Sequence, residues 1–396
     1  MASEQVLRGG EAPKVPLIYN PVVRGIVFQV VAFLALFALV VWVVNNTQEN
    51  LRRIGRTISF EFLNERAGFD IGQSLIAYTS DSSYSTALVV GLINTLIIAA
   101  VGIVTATLVG FIIGIGRLSR NWLIRSLCTV YVEVFRNIPP LLVIFFWYLG
   151  VLAILPQPRD AIHLPFASLL SNRGLTIPTP VWGEGAWLVG VALLVAIAMC
   201  WFTARTARAR QMATGQRFPV FWTCVGLLVG LPLIALAAMG FPLSFDVPVQ
   251  GAFQARGGLM VSPEFLALYL SLSLYTASFI AEIVRAGIKG VGRGQSEAAH
   301  ALGLRPGTTT RLVIIPQAMR IIVPPLTSQY LNLTKNSSLA IAVGYPDLVS
   351  VGGTILNKSG NSIQIVAIWM VVYLTISLAM SLFMNWFNAR VALVER

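Results

Sequence analysis

Long stretches without charge are the feature that most restricts how this chain folds. Segments 26–44, 87–115 and 363–387 each run for about 20 residues or more without a charged side chain, the length that an α-helix needs to cross a hydrocarbon core about 30 Å thick. Only 11% of the residues are charged, whereas a soluble domain has roughly a quarter. The chain is therefore predicted to be all-α and a polytopic integral membrane protein.

Hydropathy indicates about eight transmembrane helices along the chain. They are predicted at residues 24–45, 86–115, 125–155, 184–204, 220–240, 263–287, 320–345 and 363–388. The intervening segments 156–183 and 241–262 are rich in Pro, Gly and aromatic residues, so they are expected to form interfacial loops and short re-entrant turns.

The basic residues are distributed unevenly between the loops. They concentrate in alternate loops, at 117–125, 205–217 and 289–320, so the positive-inside rule places these loops and both chain termini in the cytoplasm. The net charge of +12 does not indicate nucleic acid, because the basic residues lie in short loops and form no continuous face.

The sequence gives no sign of metal, disulfide or nucleotide chemistry on this chain. Cys128, Cys200 and Cys224 stand singly within apolar segments, without the spacing of a metal site or a disulfide framework. A GxxxxGK[ST] phosphate loop is absent from the sequence. No cofactor or metal is therefore expected here, and any ATP hydrolysis must take place on another polypeptide.

The segment 294–316, between the sixth and seventh predicted spans, has the pattern of a helix-turn-helix in water. Residues 296–302 favour a helix, and Gly303 is a natural left-handed stop. Pro306, after Arg305, favours the first turn of a new helix. The short helix offers small alanines, a leucine and a glutamate to a partner protein. The alternative interpretation is a surface connector without a partner.

The order of residues in this segment resembles the EAA loop of ABC importer permeases. The matching positions are Glu297, Ala298, Ala299, Gly303, Val313, Ile315 and Pro316. In that family the loop docks in a cleft on the nucleotide-binding subunit, so the resemblance implies the same role here. The residues expected to couple this chain to an ATPase are Glu297, Ala298, Ala299, Leu302, Gly303, Arg305 and Pro316.

Further blocks narrow the resemblance to the polar amino acid permeases of the histidine and glutamine type. They lie at 91–96, 133–142, 281–288 and 333–339, within the regions 86–155 and 262–390. The additional first span and the inserted pair between 156 and 255 resemble the larger permease subunit of general L-amino acid importers. The chain then divides into 1–85 (tail, first helix and outer loop), 86–155 (first part of the core), 156–261 (inserted helix pair) and 262–396 (second part of the core, with the coupling loop at about 286–320).

The resemblance also implies a fold, a mechanism and partners. The fold is that of a type I ABC importer permease in the bacterial inner membrane, and the mechanism is alternating access. The implied partners are an ABC ATPase dimer that binds ATP and Mg, a second, related but non-identical permease subunit and a periplasmic amino-acid-binding protein. The substrate would be an L-amino acid, and the chain itself would be no enzyme.

Charged residues inside the predicted spans are candidates for the substrate path, because each costs roughly 3 kcal/mol in hydrocarbon unless it has a partner or faces a cavity. Glu133 and Arg136, like Glu282 and Arg285, are spaced so that each pair shares a helix face. One interpretation is an intrahelical ion pair that eases membrane insertion. The other is that Arg136 attracts a substrate carboxylate, and Glu133 or Glu282 its ammonium group.

Two interruptions of apolar runs add to these candidates. The prolines at 139–140 are expected to break the third span, which is tolerated at membrane depth where the break lines a cavity. In the seventh span, Asn332, Lys335 and Asn336 interrupt the run. Polar amino acid permeases often have Lys-Asp-[Ser/Thr]-Ser here, and the replacement of Asp by Asn336 would weaken any preference for cationic amino acids.

Two other classes of function remain open at this point. An ion-coupled secondary transporter would use intramembrane carboxylates to carry protons or sodium. A membrane-embedded enzyme should show His, Asp or Glu residues clustered with catalytic spacing, and the sequence contains no such cluster.

Overall fold

The computed structural model describes residues 21–53, 59–216, 218–241, 243–251 and 253–391, so both predicted cytoplasmic termini lie outside it. Its helices are α1 (Pro21–Arg53), α2 (Tyr84–Gly116), α3 (Trp122–Asn137), α4 (Pro140–Phe145), α5 (Trp187–Thr214), α6 (Val220–Ala238), α7 (Pro263–Gly290), α8 (Arg293–Ala301), α9 (Pro306–Thr309), α10 (Ile315–Asn336), α11 (Leu348–Ser359) and α12 (Ser362–Val391). Its strands are β1 (Ile162–Leu164), β2 (Ser168–Ser171), β3 (Gly174–Ile177), β4 (Thr179–Trp182), β5 (Leu243–Asp246) and β6 (Leu259–Val261). The described chain is predominantly helical, which confirms the predicted fold class.

Helices α2 and α7 form the centre of the bundle, and the sequence of α2 explains how closely they approach. Gly102, Ala106, Gly110 and Gly114 recur every four residues and so share one helix face. A Cβ atom added at Gly110 would lie 2.6 Å from the Cβ atom of Ile280, too close for any real contact. The small residues therefore allow the two backbones to approach, as they do at many contacts between membrane helices.

The two ends of the bundle carry different structures. At one end β6 leads directly into α7, and we call this the sheet end. At the other end α7 finishes at Gly290 and is followed by α8 and α9, and we call this the loop end. Helix α2 runs parallel to α7, whereas α10 runs back from the loop end to the sheet end.

Six described helices are long and apolar enough to cross a membrane: Val23–Asn50, Tyr84–Gly116, Trp187–Thr214, Val220–Ala238, Pro263–Gly290 and Ser362–Arg390. Helices α3 and α4, with the π-helical turn Phe146–Leu152, are long and apolar enough to cross a membrane only when taken together. The chain bends by 110° between them, at the prolines 139–140. Helix α10, which corresponds to the seventh predicted span, is too polar to be included among these apolar helices. The predicted eight spans therefore correspond to six such helices, one bent pair and one polar helix.

Two small antiparallel sheets form at the sheet end from residues between 156 and 262. One has the strand order β1-β2-β3-β6, and the other pairs β4 with β5. The expectation of irregular loops and re-entrant turns is therefore wrong for these segments. Strands of three or four residues have too little alternation of apolar and polar residues to be recognised from the sequence. The pairing of β3 with β6 also joins segments that the α5 and α6 hairpin separates in sequence.

Helix α1 and the α5 and α6 hairpin lie at the edge of the fold. Within the described chain, none of the apolar window of α1 or α6 is buried, and only 6% of that of α5 is. The hairpin is closed by contacts such as that from Cys200 Sγ to the carbonyl oxygen of Cys224, at 3.6 Å. The outer surfaces of these helices are thus available to lipid or to another subunit.

The sheet end has a second buried core, in which α11 lies against α2 and α12. Asp347 caps α11 by accepting a hydrogen bond from the Ser350 backbone N–H at 2.8 Å. Asn94 of α2 donates to the backbone oxygens of Gln73 and Pro346, both at 2.9 Å. A single asparagine therefore fastens both the loop before α2 and the segment before α11.

Candidate functional site

The predicted coupling helix is present at the loop end. Glu297 and Ala298 of α8 are exposed, and Leu302, just beyond the helix, is 80% exposed. Ala298 and Leu302 are four residues apart and so lie on one face. Ala299 is only 3% exposed and is buried within this chain, so the interpretation that both alanines face a partner is wrong for Ala299, and of the two only Ala298 is accessible.

The turn after α8 has the predicted geometry. Gly303 has a φ of +72°, in the left-handed region, and its N–H donates to the carbonyl oxygen of His300 at 2.9 Å. Arg305 occupies the N-cap of α9, and Pro306 is in its first turn. The predicted helix, stop and restart are confirmed.

The loop continues into α10 without a break. Helix α9 passes through the π-helical turn Thr310–Ile314 into α10, which has Pro316 in its first turn. Gln317 Nε2 of α10 donates to Gln295 Oε1 of α8 at 3.1 Å. A displacement of α8 would therefore reach α10 both through the backbone and through this hydrogen bond.

Five charged side chains from α2, α3 and α7 meet near the loop end, and we call them the charge cluster. They are Arg117, Glu133, Arg136, Glu282 and Arg285. Arg117 and Arg285 both donate to the Glu282 carboxylate. Arg117 Nη2 also lies 3.7 Å from Glu133 Oε1, and Arg136 Nη1 lies 3.9 Å from Glu282 Oε2. The Glu282 carboxylate therefore has three guanidinium groups around it, one from its own helix α7, one from α3 and one from just beyond the end of α2.

The pairing within the cluster differs in part from the sequence interpretation. The intrahelical pair of Glu282 and Arg285 is present. The intrahelical pair of Glu133 and Arg136 is wrong, because each residue pairs with a different helix: Glu133 with Arg117 and Arg136 with Glu282. These contacts join α3 to the junction of α2 and α7.

Arg117 is the member of the cluster that sequence analysis did not identify as a site residue. It follows the last residue of α2. From the sequence alone, its charge bears only on the orientation of the chain in the membrane. Its side chain is 9% exposed, so it is buried where the three helices meet. A basic residue at the end of one span, level with a carboxylate inside another, is the signal that could have found it.

The polar residues of α10 lie apart from the charge cluster. Asn332 and Lys335 are exposed, and Asn336 is partly buried at the last position of the helix. Their neighbour Leu333 packs on Gly102 near the middle of α2, whereas the charge cluster lies beyond the loop end of α2, roughly 20 Å away along the helix axis. The candidate substrate-path residues of α3 and α7 and those of α10 therefore form two groups and not one site.

Apolar helices around a core of small residues, with an exposed helix-turn-helix fastened to two of them, define a polytopic membrane protein. The family model described as "Binding-protein-dependent transport system inner membrane component" matches residues 106–393. The chain belongs to this family of transport proteins.

Three relatives show which members of the family this chain is similar to. The "General L-amino acid transport system permease protein AapQ" of Rhizobium johnstonii is 62% identical and aligns over 96% of this chain and 95% of its own length. The "Glutamate/glutamine/aspartate/asparagine transport system permease protein BztB" of Rhodobacter capsulatus is 44% identical, over 96% of each chain. The "Glutamate/aspartate import permease protein GltK" of Escherichia coli is 31% identical but aligns over only 44% of this chain. The resemblance to the larger permease subunits of amino acid importers is confirmed.

Proposed function

We propose that this chain is the permease subunit of an ATP-driven importer that moves L-amino acids into the cytoplasm by alternating access. The observation that carries the proposal is the exposed face of α8. A left-handed glycine shapes the turn after this helix, and a hydrogen bond joins the helix to α10. The similarity to AapQ, a general L-amino acid permease, and to BztB supports the substrate class. The charge pattern of the loops supports an orientation with the loop end in the cytoplasm.

The partners follow from this arrangement. An ATPase subunit would bind α8 through Glu297, Ala298 and Leu302, while Gly303 shapes the turn and Arg305 and Pro316 position the return to α10. Closure of an ATPase dimer around ATP and Mg would then move two permease chains, of which this is one. A periplasmic binding protein would deliver the substrate at the sheet end.

The charge cluster limits which residues are available to the substrate. Both oxygens of the Glu282 carboxylate already accept hydrogen bonds from arginine, so this group is better suited to holding helices together than to binding an ammonium group. Arg136 and Glu133 are 37% and 57% exposed and remain the better candidates for the α-carboxylate and α-ammonium groups. Asn332, Lys335 and Asn336 would line a separate part of the path.

The coupling proposal is tested by reversing the charge of Glu297. In proteoliposomes that hold the assembled transporter, Glu297→Lys is expected to lower ATP-dependent uptake at least tenfold, because the contact with the ATPase is lost while insertion is not. Glu61→Lys, at an exposed glutamate of the sheet end, is the matched control and should keep uptake. Unimpaired uptake by Glu297→Lys would count against the proposal.

The same preparation separates this mechanism from ion-coupled secondary transport. Uptake should stop when ATP is removed and should continue when an uncoupler collapses the ion gradients. The role of Asn336 is tested there as well, since Asn336→Asp should raise the uptake of arginine relative to glutamine. An unchanged ratio would remove Asn336 from the substrate path.

A further inference from the structure

A cavity of about 470 Å³ opens at the sheet end, within the size range of small-molecule sites. Its walls come from four parts of the chain: the loop 69–73, the turn between β2 and β3, residues 260–264 at the start of α7, and residues 344–354 around the start of α11. A second cavity of about 370 Å³ adjoins it and shares Arg173, Pro263 and Glu264. The two form one recess on the side of the bundle opposite to the coupling loop.

Charges of both signs line this recess. Arg173 contributes a guanidinium group, and Asp70 and Glu264 contribute carboxylates. Within the part of the chain that the structure describes, none of the three forms an ion pair with any other residue. Asn172 also lines the recess, and its side-chain oxygen is buried without a hydrogen-bond partner among the described residues. Opposite charges that share a cavity without pairing leave room for a ligand between them.

The elements that carry these groups are held in place by the fold. The Arg173 backbone N–H donates to Ser171 Oγ at 3.2 Å in the turn between two paired strands. Tyr148 of the π-helical turn donates to the Glu264 carboxylate at 3.1 Å, which orients it. The loop that carries Asp70 is tied down at Gln73, whose side-chain oxygen accepts a hydrogen bond from Ser262 at 3.2 Å.

We infer that this recess is a binding site for a zwitterionic α-amino acid, at the point where substrate enters the permease. Arg173 binds the α-carboxylate, and Glu264 with Asp70 binds the α-ammonium group, since charge-assisted hydrogen bonds to both groups are the strongest available to such a ligand. The inference rests on the proposed function, because it takes its ligand class from amino acid import. The site is separate from the charge cluster and from the polar end of α10.

The charged residues that line the recess come from three different regions of the chain. Asp70 comes from the N-terminal region 1–85, Arg173 comes from the inserted region 156–261, and Glu264 belongs to the transport core. The two regions outside the core thus meet over it and supply one charge each. A chain with the core alone would keep Glu264 but would have neither Arg173 nor Asp70 beside it.

The test is direct binding of radiolabelled L-glutamine to the assembled transporter in nanodiscs, without the periplasmic binding protein and without nucleotide. Arg173→Gln is expected to weaken binding at least tenfold. Competition by L-glutaminamide, which lacks the α-carboxylate, should be weak in the wild type and unchanged in the variant. Arg159→Gln is the matched control, because Arg159 is an exposed arginine of the same region that pairs with Asp160 and does not line the recess.

Glu264→Gln provides a second variant, since it removes the charge and keeps an oxygen that accepts from Tyr148. It is expected to weaken L-glutamine binding while leaving the thermal unfolding midpoint of the protein unchanged. Wild-type affinity in Arg173→Gln, or an equal loss in Arg159→Gln, would overturn the inference. ATP-driven uptake by the wild-type transporter in proteoliposomes, with the periplasmic binding protein added, shows separately whether the proposed function stands, so the two failures are distinguishable.

Discussion

The charge cluster makes a quantitative prediction about what holds α2 to α7. A hydrogen bond to a charged group contributes roughly 1.5–3 kcal/mol, and removal of one partner of a fully buried ion pair costs roughly 3–5 kcal/mol. The Arg117 and Glu282 side chains are 9% and 25% exposed, so burial is close to complete only for the arginine. Glu133, 3.7 Å from Arg117, would still neutralise part of its charge after Glu282 is replaced. We therefore expect Glu282→Gln to lower the free energy of unfolding by about 2 kcal/mol.

A double-mutant cycle isolates the pair from other effects of each substitution. Arg117→Gln and Glu282→Gln, alone and together, should give a coupling energy of about 1–2 kcal/mol in denaturant titrations of the protein in mixed micelles. The control cycle is Arg66→Gln with Asp81→Asn, a pair at 2.6 Å whose side chains are 66% and 74% exposed. Exposure should reduce its coupling to about 0.5 kcal/mol or less. Equal coupling energies in the two cycles would refute the reasoning from burial.

Two further predictions concern the core at the sheet end. Gly352→Ala should destabilise the protein by roughly 1–3 kcal/mol, because the new Cβ would lie 2.3 Å from Trp369 Nε1. Gly353→Ala, whose Cβ would meet its nearest neighbour at 3.9 Å, is the control, and equal unfolding midpoints of the two variants would contradict this packing. Asp347→Ala should cost about 1 kcal/mol by removing the cap that accepts from Ser350, whereas Asp347→Asn should cost much less. If both substitutions at 347 lowered the unfolding midpoint equally, capping would not be the role of that side chain.

Local chemistry explains which parts of the candidate site could be predicted from the sequence. Gly303 and Pro306 each have a strong conformational preference of their own, so the turn that they define follows from the residues alone. The burial of Ala299 could not be predicted in the same way. It depends on how α8 lies against the rest of the loop end, and the sequence pattern of the helix leaves that open.

Pairing between distant segments was the main limit of sequence reasoning. Spacing along one helix allows an intrahelical pair at both positions, yet only Glu282 with Arg285 forms one, and Glu133 pairs across helices with Arg117. The same limit applies to the sheets, because β3 finds its partner β6 only after the chain has passed through the α5 and α6 hairpin. In both cases the partner is set by how helices and strands are assembled, and no local pattern carries that information.

The pairing of β4 with β5 has a consequence for how this chain could vary. The register runs from Thr179 opposite Asp246 to Trp182 opposite Leu243, so the polypeptide leaves for α5 and returns from α6 at adjacent points. Deleting the hairpin and bridging those two points with a tight turn would leave the path of the remaining chain continuous. Helices α5 and α6 thus form a separable insertion, whose loss or exchange in evolution would not require the other helices of the bundle to be rebuilt.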